Sequence, residues 1–171
     1  MITIDQATTT QHLVHARDLM CAFIDWHRER NHQEKELIDS YFDPDAFDAE
    51  LASLPGKYAP PGGSLLLATE DNRPTGCVAL HGLGNGVCEM KGLFVYKEFH
   101  GRGLGRMLAQ AIIDDATKAG YTYMRLDTGA RQKEAQGLYT KLGFMKIDAY
   151  YELPTKLCEW LVFMELDLTS P

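Results

Sequence analysis

The residues with the clearest chemical promise lie between positions 87 and 106. The run Val95-Tyr96-Lys97-Glu98-Phe99-His100-Gly101-Arg102-Gly103-Leu104-Gly105-Arg106 sets three alternate glycines between a strand-like segment and an amphipathic helix. Such a turn presents backbone N–H groups at a helix start, where the helix dipole is positive. With Arg102 and Arg106 beside it, the turn predicts a seat for a pyrophosphate. Glycine is required where a side chain would block close approach, although three glycines near a helix start are also ordinary turn chemistry. A Walker A loop needs G-x-x-x-x-G-K-[ST] and a dinucleotide fold needs G-x-G-x-x-G inside a βαβ unit; neither spacing is present.

Elements that can position this turn follow from periodicity. Residues 2–7 alternate as a strand, and a helical period then runs through Leu13, Ala16, Met20, Phe23, Ile24 and His27. A second helix is expected over 33–41, and Asp43-Pro44 reads as an N-cap and first-turn proline opening a third through Leu51. Residues 58–63, rich in proline and glycine, must be loop. Strands are expected over 64–70, 75–83 and 87–96, joined by turns at 71–74 and 84–86. A helix over 103–119 ends at Gly120, a strand covers 121–127, a helix 132–142, a strand 144–150, and a last strand 157–168. Hairpins mixed with βαβ crossovers predict a mixed α/β fold with helices on the faces of a mixed sheet.

With 171 residues, one domain over 1–171 is expected, and 45% hydrophobic against 24% charged residues predicts a packed core. Lys plus Arg number 17 against 24 Asp plus Glu, giving a formal charge of -7. That field argues against nucleic acid and against an anionic membrane surface as partners. The start of the chain lacks a basic region followed by an apolar stretch, and no run reaches the ~18 apolar residues of a span, so the expected location is cytoplasmic. Cys21, Cys77, Cys88 and Cys158 lie far apart, and His12 and His15 have no readable third ligand, so no metal is expected.

The glycine turn resembles motif A of the GCN5-related N-acetyltransferases (GNAT), whose pattern is Gln or Arg, two residues, Gly, one residue, then Gly or Ala. Gly103 and Gly105 match, while His100 stands at the Gln/Arg position. The likeness continues upstream through residues 88–95, downstream through 124–128 and 135–144, and into Phe163-Met164-Glu165-Leu166. It implies a mostly antiparallel central sheet with helices on both faces, splayed between strands 4 and 5. It also implies that acetyl-CoA is the acyl donor, with pantetheine bonding strand 4 as a further strand would. By that resemblance Leu93, Phe94 and Val95 offer backbone to the cofactor, and His100, Gly101, Arg102, Gly103, Leu104, Gly105 and Arg106 hold the pyrophosphate. Gln132 stands where many members carry a cofactor-binding Asn, and Gly92 is placed to support a bulge.

An alkylammonium must lose a proton before it can attack a thioester. Glu89 matches the strand glutamate that serves as general base in some members, and reads alternatively as a solvated carboxylate paired with Lys91. Tyr139 falls at the helix tyrosine whose phenol commonly protonates the leaving sulfur, and reads alternatively as an amphipathic residue at a helix edge. Cys88 as a covalent acyl carrier is disfavoured, because the neighbouring Glu89 charge would raise its pKa. Glu34, Glu36, Asp39, Asp43, Asp45, Asp48 and Glu50 oppose Lys35 alone, which either draws a cationic amine or forms a solvated helix face. Tyr41, Phe42, Tyr150, Tyr151 and the 58–63 loop are candidates for an acceptor pocket. The expected function is therefore an N-acetyltransferase for a primary amine of a small molecule, acting in a ternary complex and compatible with a homodimer. The competing reading is a non-catalytic acyl-CoA sensor or interaction module.

Overall fold

The computed structural model describes residues 1–170. The chain opens with β1 (Ile2–Gln6), then α1 (Thr10–Arg30), α2 (Lys35–Tyr41) and α3 (Pro44–Ala52). The meander β2 (Ser64–Glu70), β3 (Arg73–Gly84), β4 (Val87–Val95) follows. After it come α4 (Leu104–Lys118), β5 (Tyr123–Gly129), α5 (Lys133–Lys141), β6 (Met145–Ile147), α6 (Thr155–Trp160) and β7 (Leu161–Asp167).

Local chemistry explains the ends of these elements. The Thr9 hydroxyl accepts from the His12 N–H at 3.1 Å to start α1, and the Asp43 carboxylate accepts from the Ala46 N–H at 2.9 Å to start α3, with Pro44 in the first turn. Gly120, at φ +89°, ends α4 in the left-handed region.

The seven strands form one sheet in the order β1-β2-β3-β4-β5-β7-β6, antiparallel throughout except for the parallel pair β4–β5. Alternation along β2 sends Leu66 and Ala68 to one face and Leu65 and Leu67 to the other, and all four are buried. On the first face α4 packs Leu108, Ala109, Ile112 and Ala116 against Val78, Leu80 and Met90. On the second, α1 packs Ala16, Leu19 and Met20 against Cys77, Ala79 and Phe94. Helices on both faces of a mostly antiparallel sheet are what the resemblance implied.

One expected element needs correction. The last strand begins at Leu161 and not at Leu157, because residues 155–160 form α6. Pro154 immediately precedes the first turn, and Leu157, Trp160 and Leu161 repeat at i, i+3, i+4, a helical period that a strand-like reading of this apolar run overlooks. The strand expected over 144–150 is confined to 145–147, which leaves Tyr150 and Tyr151 on an irregular segment.

The feature that positions the site is a bulge in β4. Cys77 pairs with Phe94 and Ala79 with Lys91, so two steps on β3 answer three on β4. Gly92 occupies the extra position with φ +62°, and a Cβ built there meets no atom within 4 Å. The cost of a side chain at this point is therefore confined to the backbone. Gly92→Ala should lower unfolding free energy by about 1 kcal/mol in urea titration, the ordinary price of a left-handed alanine; a loss several times larger would reveal a packing role for which the open space gives no basis.

Candidate active site

β4 and β5 pair only at Val87–Tyr123, Cys88–Met124 and Glu89–Arg125. Beyond that point residues 90–95 and 126–129 diverge, while β5 keeps its antiparallel partner β7 up to Gly129–Leu161. The edge of β4 that faces β5 is thus left without a strand. Into this splay opens a cavity of about 440 Å³, with walls from α1, α2, α3, β4, β5, α5 and α6. A smaller hollow of about 220 Å³ continues past Leu93, Phe94, Val95 and His100 to Gln132 and Ala135. Leu93 and Gln132 line both.

At the far end of β4 the chain turns through Gly101 (φ +76°) and Gly103 (φ +78°) into α4. Gly103 is the N-cap without any side-chain cap, and the first helical N–H to be satisfied is that of Met107, which donates to the Gly103 carbonyl at 3.0 Å. The preceding N–H groups point out of the helix end. A Cβ on Gly101 or Gly103 would meet nothing within 4 Å, so the space before those donors is open. The turn has the form of an anion cradle beside the free strand edge.

On the α1 face, the polar side chains gather around Lys91. Its ammonium donates to the Tyr41 hydroxyl at 3.1 Å and lies 3.7 Å from Glu89 Oε1. Tyr41 donates in turn to Asp127 Oδ1, and Tyr151 donates to Asp127 Oδ2 at 2.5 Å. Since Lys91 and Asp127 each sit two residues past the last paired position, this Lys91–Tyr41–Asp127 bridge spans the apex of the splay. Burial pulls the Lys91 ammonium down, but the Asp127 and Glu89 carboxylates outweigh it and hold the pKa above the ordinary lysine value.

Glu89 itself is buried behind this wall. Its Oε1 accepts from His81 Nε2 at 2.9 Å and its Oε2 from the Tyr150 hydroxyl at 2.5 Å. Burial pushes its carboxyl up, yet the His81 bond, the Lys91 charge and the Tyr150 bond together bring it down to about 2. Tyr139 is buried against Phe144 and lines the cavity from α5. Burial, with the Asp127 charge, raises its phenol well above the usual range, and its hydroxyl has no hydrogen-bond partner among the described residues.

The acetyltransferase (GNAT) family model matches residues 20–144. The chain belongs to this family. It is 40% identical over 125 residues to an uncharacterised N-acetyltransferase of Schizosaccharomyces pombe, a match covering 72% of this chain and 75% of that one. Its fold is similar to an acetyltransferase from Streptococcus agalactiae, with TM-score 0.72, 21% identity and coverage of 97% and 98% of the two chains. It is similar too to the putative acetyltransferase YncA of Salmonella typhimurium, solved with acetyl-CoA, with TM-score 0.62, 18% identity and coverage of 99% and 95%. GNAT membership makes the protein an acetyl-CoA-dependent N-acyltransferase, which decides between the enzyme and the non-catalytic sensor.

The GNAT site residues expected from sequence fall in two groups. Leu93, Phe94, Val95, Gly101, Gly103, Leu104, Gly105, Arg106 and Gln132 lie along the free β4 edge, the turn and the first residues of α4 and α5. His100 and Arg102 lie there too, but their side chains are engaged: His100 Nε2 donates to the Val95 carbonyl at 2.8 Å, and Arg102 forms a paired ion bridge with Glu70 on β2. Gln132 donates to the His27 ring, 2.8 Å from Nδ1, and accepts from Thr128 Oγ1 at 3.2 Å. Tyr139 faces the cavity, whereas Glu89 reaches it only through Lys91. Burial pushes the Cys88 thiol up to about 12, which agrees with the inert reading.

Sequence reasoning assigned no site role to Asp127 or His27 and gave Lys91 only as the ion-pair partner of Glu89, which lies 3.7 Å from it. A carboxylate inside the apolar run Met124-Arg125-Leu126-Asp127 was the available signal for the first. The acidic cluster of the amino-terminal third is mostly spent on structure: Asp39 pairs with Arg28 and Lys35, Glu34 takes Arg131 and Trp160, and Asp43 caps α3. Among the described residues no group of three or more His, Cys, Asp or Glu is placed to hold a metal, and no helix is long and apolar enough to cross a membrane.

Because Glu89 titrates at about 2 in the native state against 4.5 ordinarily, it adds stability above pH 4.5 that is lost as the pH falls toward 2. Unfolding free energy measured between those limits should therefore decline less steeply in Glu89→Gln than in the wild type. Equal slopes would mean that Glu89 binds its proton equally well in the folded and unfolded chains.

Proposed function

We propose that residues 1–171 act as one catalytic domain that transfers the acetyl group of acetyl-CoA to the primary amine of a small molecule, by direct attack in a ternary complex. The observation that carries this reading is the meeting, at the splay, of a half-open cavity, the unpartnered Tyr139 hydroxyl and the Asp127 carboxylate. The residues present fit the cofactor. The open cradle at Gly101 and Gly103, with the N–H groups of Leu104, Gly105 and Arg106, would hold the pyrophosphate. The strandless edge at Leu93, Phe94 and Val95 would bond the pantetheine arm, and Gln132 would border it. When bound, acetyl-CoA supplies the activated thioester carbonyl.

The chain's own groups supply binding and proton management. Asp127 receives the acceptor's ammonium and takes its first proton, which passes to water. Tyr139 Oη donates a proton to the sulfur that leaves, and is reprotonated from the nitrogen once the amide bond has formed, so one proton in all reaches solvent. A phenol held well above its ordinary pKa stays protonated at neutral pH, as a donor must. Glu89 does not line the cavity and acts through Lys91, whose charge and position it fixes.

Acetyl-CoA at a hundredfold over its Kd should raise unfolding free energy by about 2.7 kcal/mol. Gly103→Glu should still fold and show no such increase, since a carboxylate would occupy the cradle; a retained shift would place the pyrophosphate elsewhere.

In amine assays that follow free thiol, Tyr139→Phe should lower kcat by on the order of 10² with little change in cofactor affinity. Asp127→Asn should lose activity in proportion to the pKa of the amine offered. An equal loss for weakly and strongly basic amines would reduce Asp127 to a structural role.

A further inference from the structure

Charge in the cavity is unevenly balanced. The ionisable side chains lining it are Asp43, Glu50, Asp127, Lys57, Lys91 and His27. Burial, helped by Arg30, lowers His27 to about 4, so it is neutral. Glu50 is committed to Lys57 at 3.4 Å and to the Tyr58 hydroxyl. Lys91 has Glu89 at 3.7 Å behind it. Asp43 is spent on the α3 cap. Asp127 receives only neutral side-chain donors, the phenols of Tyr41 and Tyr151, and meets Lys91 through the Tyr41 oxygen.

The same cavity also has an apolar and aromatic wall. Phe23 and Phe42 stand edge to face at 5.9 Å, Phe42 and Phe47 at 6.4 Å, and Tyr41 and Trp160 at 6.1 Å, with Leu157 beside them. The four aromatic residues Phe23, Phe42, Phe47 and Trp160 line the cavity and are only half-buried, so they present apolar surface that none of the described residues covers. A second ammonium on the acceptor would be desolvated against this wall without a partner, and an acceptor carboxylate would find both lysines already engaged.

We infer that the acceptor is a primary monoamine with an uncharged apolar body, its ammonium met by Asp127 and its alkyl or aryl part lying against Phe23, Phe42, Phe47, Leu157 and Trp160. This rests on the acetyltransferase reading above and narrows it to a substrate class. Amino acids and polyamines are disfavoured by the same charge count.

The test is thiol release from acetyl-CoA with n-alkylamines from propylamine to hexylamine, phenethylamine, spermidine and aspartate. For the wild type, kcat/KM should rise about four-fold per added methylene until the cavity is filled, with phenethylamine among the best substrates. Phe47→Ser should flatten that series while keeping the thermal stabilisation by acetyl-CoA, which reports folding and cofactor binding independently. A flat series in the wild type, or spermidine or aspartate surpassing hexylamine, overturns the inference and leaves the acetyltransferase reading intact. A gain on lengthening the donor's acyl chain in place of the amine, from acetyl- to hexanoyl-CoA, overturns it too, by assigning the apolar wall to the donor. No release with any amine, despite acetyl-CoA stabilisation, overturns both the inference and the proposed acceptor chemistry.

Discussion

Everything in the site depends on the interruption of one ladder. A parallel pair of strands normally continues until a loop ends it, because each lost backbone hydrogen bond leaves groups that must be satisfied elsewhere. Here the β4–β5 pairing stops after Glu89–Arg125 while both strands continue. The strands can part because each retains a partner on its outer side, β3 for β4 and β7 for β5. The bulge at Gly92 turns β4 at that place, and the result is a strand edge inside the molecule where a sheet would ordinarily be closed. An unfilled interior edge is costly for a fold and serviceable for an extended ligand arm that brings its own amide groups.

The packing on either side keeps that opening from collapsing. β2 and β3 are buried on both faces, so the sheet up to β4 is clamped between α4 and α1. On the other side, Arg125 is tied to Glu165 at 2.7 Å across the β5–β7 pair. Beyond the three β4–β5 pairs, side chains link these two halves: Tyr41 to Asp127, Tyr150 to Glu89, Arg30 to Glu134, and Trp160 to Glu34. The splay is therefore held open by the sheet and closed over by phenols and ion pairs. Such contacts exchange partners with a ligand at a smaller cost than a strand ladder would.

Local signals carried most of the fold. Period-2 and period-3.6 patterns, the Thr9 and Asp43 caps and the glycine punctuation at 84–86, 120 and 143 mark elements whose ends are set by nearby residues. They failed where a boundary depends on distant packing. α6 is six residues long with no side-chain cap, and its Leu157 is buried because α2 and β7 lie beside it, which no window of sequence contains. The cofactor side of the site was legible for a related reason, since strand edge, turn and helix start are contiguous in the chain. The acceptor side was not, because it assembles Tyr41, Lys91, Asp127 and Tyr151 from four separate segments. In the acidic run of the amino-terminal third, Glu34, Asp39 and Glu50 are answered by partners far along the chain or a turn or two away, and Asp43 by the cap of α3.

The buried lysine gives the acceptor side its internal logic. An enzyme that acetylates amines carries a hazard in any lysine that lines its own cavity, since a neutral Lys91 would be a competing nucleophile at a fixed, high effective concentration. Nucleophilicity belongs only to the deprotonated form, and burial by itself would favour that form. Glu89 and Asp127 reverse the balance and keep Lys91 charged. The low pKa of Glu89 has a related origin: the His81 hydrogen bond first, then the Lys91 charge and the Tyr150 bond, favour its charged form over the cost of burial. Under the proposed function an incoming amine at Asp127 would differ in meeting only one carboxylate, already shared with two neutral phenols. In that proposal the number and distance of carboxylates around each nitrogen would separate the amine that must stay protonated from the one that must not.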